Sequence, residues 1–162
     1  MIKMTDGTIA LDLNIRKARL GDAPQITRFN CQLASETERR RLNRARVLRG
    51  VMALLKDPAK GTYFVAEKDG RTAGQLLITF EWSDWRNGYF WWIQSVYVAP
   101  AFRGQGVFGA LFCHVEKLAK SQKSVCGLRL YMHEDNKRAA KVYRKHGMSR
   151  SHYDVFEMDF VM

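Results

Sequence analysis

Val96-Tyr97-Val98-Ala99-Pro100-Ala101-Phe102-Arg103-Gly104-Gln105-Gly106-Val107-Phe108-Gly109 is the stretch whose reading decides the fold of this chain. A β-prone run beginning at Tyr89 leads into it, and Ala99-Pro100 stops that run. Glycines at 104, 106 and 109 then form a turn, after which Val107, Leu111, Val115 and Ala119 recur every four residues, the spacing of an amphipathic helix. Strand, glycine-rich turn and helix in this order suit an anion. The first amides of a helix have no acceptor inside it and lie at the positive end of its dipole. Glycine lets the backbone approach a phosphate closely. The turn is not a Walker loop, because Gly-Lys-Ser/Thr is missing, nor a dinucleotide fingerprint, because it does not open a first βαβ unit.

On the N-terminal side, residues 13–19 read as a strand, and GDAPQITRF follows with Asp22 as N-cap and Gln25 as its capping-box partner. Ile26, Phe29 and Leu33 share one helical face. A second helix is expected from about Asn43 to Lys56, with Val47, Val51, Leu54 and Leu55 inward, arginines outward, and Asp57-Pro58 as its stop. TYFVAE, the turn Lys68-Asp69-Gly70-Arg71 and a long run to Trp82 read as a hairpin, since Asp-Gly supplies positive φ angles. SDWRNG is a loop. On the C-terminal side, GLRLYM is a short buried strand, and Asn136 caps a helix carrying Ala139, Ala140 and Tyr143 that Gly147 closes. Met148 to Met162 alternates enough for one or two final strands. The expected fold is α/β: one domain, 1–162, with a mixed sheet of six to seven strands flanked by about four helices.

A length of 162 residues, 46% hydrophobic and 27% charged, is one domain's worth with a real core. No stretch approaches the roughly 18 apolar residues of a membrane helix, and the N-terminus lacks a secretory pattern. Cys31, Cys113 and Cys126 show neither CxxC nor Cys/His ligand spacing, which argues against structural zinc or a disulfide scaffold. The expectation is a cytoplasmic protein without metal or membrane. Lys plus Arg is 27 against 16 for Asp plus Glu, a net +11 that suits a polyanionic partner such as a phosphorylated cofactor, a nucleic acid or an anionic surface. Much of it sits at Arg39, Arg40, Arg41, Arg44, Arg46 and Arg49, and at Lys137, Arg138, Lys141, Arg144 and Lys145. The absence of a helix-turn-helix, an RNP-type motif or a zinc finger argues against a nucleic-acid partner.

Arg103-Gly104-Gln105-Gly106-Val107-Phe108 is similar to the (Gln/Arg)-x-x-Gly-x-(Gly/Ala) acetyl-CoA motif of the GCN5-related N-acetyltransferases. Leu130-Tyr131 followed by Asn136, Ala139, Tyr143 and Gly147-Met148 resembles the second signature of that family, Asn-x-x-Ala-x-x-x-Tyr-x-x-x-Gly-Phe. The resemblance covers nearly the whole chain. It implies splayed central strands with acetyl-CoA between them, the Val96, Tyr97 and Val98 backbone along the pantetheine, and amides of Gly104, Gln105, Gly106, Val107 and Phe108 on the pyrophosphate. Arg103 would stand at the entry of the turn, Asn136 on the pantetheine and Tyr143 beside the thioester sulfur. Phe108 departs from the pattern, where Gly or Ala is usual, although its amide is still available.

Acetyl transfer to an amine needs a neutral nucleophile, a polarised thioester and a proton for the departing thiolate. An alkyl amine of pKa about 10.4 is neutral to about one part in a thousand near pH 7.4, a cost of about 4 kcal/mol. A base or a water chain lowers that cost, and backbone amides of the splayed strand stabilise the oxyanion. Tyr143 is the candidate acid that returns a proton to the CoA thiolate. Relatives often carry Glu or His on the central strand at positions that here are Trp92 and Gln94, neither of them a base. Glu81 is the candidate in their stead, with a water wire as the default. Trp82, Asp84, Trp92 and Gln94 are the candidate acceptor residues, and the cluster of Trp82, Trp85, Trp91 and Trp92, at least two of which are expected to fill the sheet core, is the candidate cation–π seat for a small cationic amine. The arginine-rich second helix points the other way, to an acidic acceptor. A catalytically silent acetyl-CoA sensor is the alternative to an enzyme, a protein lysine remains an alternative acceptor, and tail strands pairing across a homodimer are an expectation of the resemblance.

Overall fold

The structure, a computed structural model, describes residues 12–132 and 135–160. The chain forms two compact units, the first ending at Tyr131 and the second beginning at Met132. The first unit is built on a five-stranded sheet in the order β1 (Asn14–Lys17), β2 (Thr62–Lys68), β3 (Arg71–Ser83), β4 (Gly88–Val98) and β5 (Val125–Arg129). All neighbours are antiparallel except β4 and β5, which run parallel. Asp69 and Gly70 both have positive φ, so the β2–β3 connection is the tight primed turn that its sequence called for.

Residues directly opposite one another in an antiparallel pair share a face. Tyr63 opposite Leu77 and Val65 opposite Gln75 therefore mark one face, and it is covered by α1 (Ala23–Glu38) and α2 (Arg44–Lys56) through Ala23, Ile26 and Val51. The other face is covered by α3 (Val107–Ser121), whose Val107, Leu111, Phe112 and Val115 are buried. Asn43 accepts from the Arg46 amide at 3.0 Å and starts α2. Asp22 precedes α1 without a side-chain cap: its carboxylate instead takes the Arg19 amide and the Arg16 guanidinium. Gly74 lets α3 begin against the sheet, since a Cβ there would meet the Tyr97 carbonyl oxygen at 2.9 Å and Val107 Cγ1 at 3.0 Å.

In the second unit Asn136 accepts from the Ala139 amide at 3.0 Å and opens α4 (Lys137–Lys145), with Gly147 beyond its end at positive φ. The sheet has five strands where six to seven were expected. The missing ones are those of the tail: residues 149–160 form no strand, and Tyr153, Val155, Phe156, Met158 and Phe160 are all exposed. Alternation describes a surface, and a strand also needs a hydrogen-bonded neighbour. Among the described residues no helix is long and apolar enough to cross a membrane.

Candidate functional site

The pairing of β4 changes along its length. Tyr89 to Trp92 pair with Val125 to Arg129, and the ladder stops at Trp92 opposite Arg129. β4 continues to Val98 without that neighbour, so the two strands part and the backbone of residues 93–98 keeps an edge unpaired by β5. On its other side β4 is irregular too. Leu77 lies opposite Gln94 and Gln75 opposite Tyr97, which leaves Ser95 and Val96 facing Leu76 alone. Ser95 takes a φ of 47°, a left-handed conformation that costs a non-glycine residue about 1–2 kcal/mol. The result is a β-bulge that re-aims the strand in its middle.

The strand then delivers Pro100–Phe102, a single 3₁₀ turn, and the glycine turn. Gly104 and Gly106 have φ of 76° and 78°, angles that glycine reaches without strain. Gly106 provides no side-chain cap for α3, so the first amides of that helix face the turn with no acceptor in the helix. The Phe108 ring lies 5.9 Å from that of Phe112, within the helix packing. Gln105 is tied by its amide to the Ala101 carbonyl and accepts from Lys68 Nζ at 2.8 Å. Arg103 is engaged on three sides: Nε donates to the Val98 carbonyl, Nη2 pairs with Glu36 at 2.7 Å, and the guanidinium lies over the Tyr97 ring. The Tyr97 hydroxyl also donates to Glu36 and, with Arg103, holds its carboxyl below the usual carboxylate range. Burial, reinforced by Glu36, pushes the Tyr97 phenol up to about 12.

Where β4 and β5 part, one face of the sheet carries Thr79, Glu81, Trp92, Gln94 and Arg129. Arg129 Nη1 donates to Glu81 Oε1 at 2.7 Å, and the Trp92 indole N–H donates to Glu81 Oε2. The Arg129 guanidinium lies 3.7 Å from the Phe90 ring centre and 5.9 Å from that of Trp92. Gln94 donates to Thr79 Oγ1 at 2.6 Å, and the Tyr131 ring stands 5.9 Å from Trp92. Glu81, Trp92 and Gln94 are thus brought together, while the register puts Trp82 and Trp91 on the opposite face with Phe80 and Tyr89. Asp84 lies in the 3₁₀ turn between β3 and β4 beside Trp85, which is 85% exposed. Sequence reading missed Arg129, whose guanidinium lies near Trp92 and pairs with Glu81. Its only signal was one basic residue in an otherwise apolar strand.

In the second unit, Asn136 spends its side-chain oxygen on the N-terminus of α4, and Tyr143 is half-buried in that helix, where burial raises its phenol above the ordinary value. On the outer side of α1, two concavities of about 590 and 770 Å³ share Arg28 and Gln32. Arg71 lines the first, Arg39, Arg40, Arg41 and Arg44 line the second, and among the described residues no acidic one lines either.

Residues 27–148 match the family model described as the Acetyltransferase (GNAT) family. The chain is similar to a possible acetyltransferase from Clostridium difficile 630, with 38% identity over 93% of this chain and 99% of that one and a TM-score of 0.86. The fold also matches a predicted acetyltransferase from Clostridium acetobutylicum solved with acetyl-CoA (19% identity, 91% of this chain and 96% of that one, TM-score 0.74). A ribosomal-protein-alanine N-acetyltransferase from Brucella melitensis biovar Abortus 2308 is likewise similar in fold (19% identity, 92% and 99%, TM-score 0.74). No curated protein is similar enough to count as a relative.

Proposed function

The chain belongs to the acetyltransferase (GNAT) family and is an N-acetyltransferase, and on that premise we propose that it moves an acetyl group from acetyl-CoA directly to the primary amine of a small molecule. One observation carries the reading: the ladder between β4 and β5 ends at Trp92 and Arg129, and the free edge of β4 leads straight to the amide-rich turn before α3. An extended amide chain ending in a pyrophosphate matches both halves, since it pairs with a strand edge as an added strand does and ends at helix amides. The backbone of Val96, Tyr97 and Val98 takes the pantetheine. Amides from Gly104 to Phe108 take the phosphates, a role supported by the Phe108 ring packing on Phe112, while Arg103 holds the turn to α1 through Glu36. Asn136 and Tyr143 follow from the resemblance of their motif.

In the reaction the amine nitrogen bonds to the thioester carbon, the C–S bond breaks, and CoA leaves as a thiolate that takes a proton from Tyr143. Backbone N–H groups at the kink of β4 stabilise the oxyanion. Glu81 orients Arg129 and Trp92 through one bond on each oxygen, which leaves each oxygen a lone pair for a proton, and by default the proton of the amine leaves through water.

Trp92 and Gln94 line the acceptor site. Arg129 lies over the Phe90 and Trp92 rings and engages Glu81, which speaks against a cation cage at Trp92. The arginine groove along α1 favours an amine that also carries a carboxylate or phosphate. Thiol release from acetyl-CoA across amino acids, acidic dipeptides, a polyamine, an aminoglycoside and a lysine peptide tests this. Turnover should be about tenfold or more faster with the acidic amines and should fall with added salt. Turnover confined to the polyamine overturns the acceptor class, and absence of acetyl-CoA binding overturns the donor.

A further inference from the structure

The left-handed kink at Ser95 is held by a chain of buried and half-buried polar groups drawn from four elements. Gln75 of β3, 0% exposed, donates through Nε2 to Asn30 Oδ1 of α1 at 2.7 Å and to the Ser95 carbonyl at 3.1 Å. Asn30 donates through Nδ2 to the Tyr63 hydroxyl of β2 at 2.9 Å. Tyr63 is 4% exposed, and burial raises its phenol, so the group that accepts from Asn30 is the neutral hydroxyl.

An ordinary strand residue gives its carbonyl to the neighbouring strand. A bulge leaves one residue out of the ladder, and its peptide groups must find partners elsewhere. Here the partner is a buried glutamine whose own oxygen has none among the described residues. A buried polar group left unsatisfied is unfavourable. A leucine or methionine would fill the same volume without that loss. Packing therefore does not explain Gln75, whereas its two donated bonds do.

Those bonds have a directional consequence. The described peptide bonds are all trans. In a trans peptide the carbonyl and the N–H of the next residue point in opposite directions. With the Ser95 carbonyl held by Gln75, the Val96 N–H points away from Gln75. We propose that the Tyr63–Asn30–Gln75 chain is a positioning device that aims the Val96 amide at the open edge of β4, where it polarises the thioester carbonyl. This rests on the acetyl-transfer reading above. The three residues touch no substrate, so they act only through the peptide that they orient.

The test uses Gln75→Met, which removes both donated bonds at nearly constant volume, and Tyr63→Phe, which removes a single oxygen should the first variant fail to fold. Each is measured for kcat, for KM of the amine, for acetyl-CoA affinity by calorimetry, and for amide hydrogen exchange at Ser95 and Val96. The expected result is a fall in kcat of about tenfold or more, with acetyl-CoA affinity and KM within about twofold and exchange at Val96 accelerated. Unchanged kcat in a folded variant overturns the proposal. So does a parallel loss of kcat, affinity and melting temperature, which is the signature of a merely structural role. If the parent chain turns over no amine, the acetyl-transfer reading fails by itself. Exchange then decides for the hydrogen-bonded chain: acceleration at Val96 upholds its hold on the peptide, and unchanged exchange overturns it.

Discussion

Tyr143 and Glu81 are the two residues on which proton traffic has been placed, and their surroundings differ. Burial raises the Tyr143 phenol, so its proton is retained through neutral pH and past the ordinary value of about 10. A phenol that stays protonated has a proton to give, and its raised value makes the transfer to a thiolate of pKa about 8.5 uphill, so the transfer requires direct contact with the sulfur. The expected outcome of Tyr143→Phe is a kcat lowered about 100-fold with KM of the amine little changed, read by steady-state thiol release. A loss below about threefold removes the tyrosine from the chemistry. Glu81 has a guanidinium on one oxygen and an indole N–H on the other. Glu81→Gln should leave the acid limb of the pH–rate profile where it is and raise KM for the acceptor a few-fold, because Arg129 and Trp92 lose their anchor. An acid limb that is lost or moves with the substitution would restore Glu81 as base.

Among the elements, the turn between β4 and α3 was the most legible in sequence because its chemistry is local: Pro100 stops a strand, glycines allow positive φ, and four-residue spacing starts a helix within a dozen residues. The same holds for Asn43 before α2 and for Asp69-Gly70 between β2 and β3. Gly106→Val places a β-branched side chain at φ 78°, and the strain of about 1–3 kcal/mol falls on the amides proposed to hold the phosphates. Calorimetry should show acetyl-CoA affinity reduced about tenfold or more; parental affinity would move the phosphate contact elsewhere. The division of the tryptophans was not legible. It depends on the register that the Asp84–Arg86 turn and left-handed Asn87 impose on β3 and β4, and a shift of one residue would exchange the faces. The hydrogen-bonded chain around Ser95 was hidden for a related reason, since Asn30, Gln75 and Ser95 meet only after α1 has packed on the sheet. The tail misled because Tyr153 to Phe160 carries the surface pattern of a strand with no ladder beside it.

At the scale of the molecule, Arg16 ties β1 to the turn before α1 and to β2, through Asp22 at 2.8 Å and Glu67 at 2.6 Å. Hydrogen bonds from Arg16 hold both carboxyls below their usual range. Groups with depressed folded pKa values add stability that is present above the unfolded values of about 4 and is lost as pH falls through the folded ones. Thermal unfolding across pH should therefore show the melting temperature declining below about pH 4. Arg16→Met should flatten that decline and lower the melting temperature at pH 7 by a few degrees. An acid limb of the same steepness in the variant would show that other carboxylates govern it. The sheet also distributes light-absorbing groups in a useful way. All four tryptophans of the chain fall between residues 82 and 92, yet Trp91 is sealed in the core, Trp82 and Trp85 meet solvent, and Trp92 stands with Gln94 and Tyr131 where the strands part. Intrinsic fluorescence is accordingly divisible by compartment: iodide quenches the solvent-facing pair, denaturant releases the buried indole, and ligand entering between β4 and β5 alters the emission of Trp92, which makes the protein its own binding sensor.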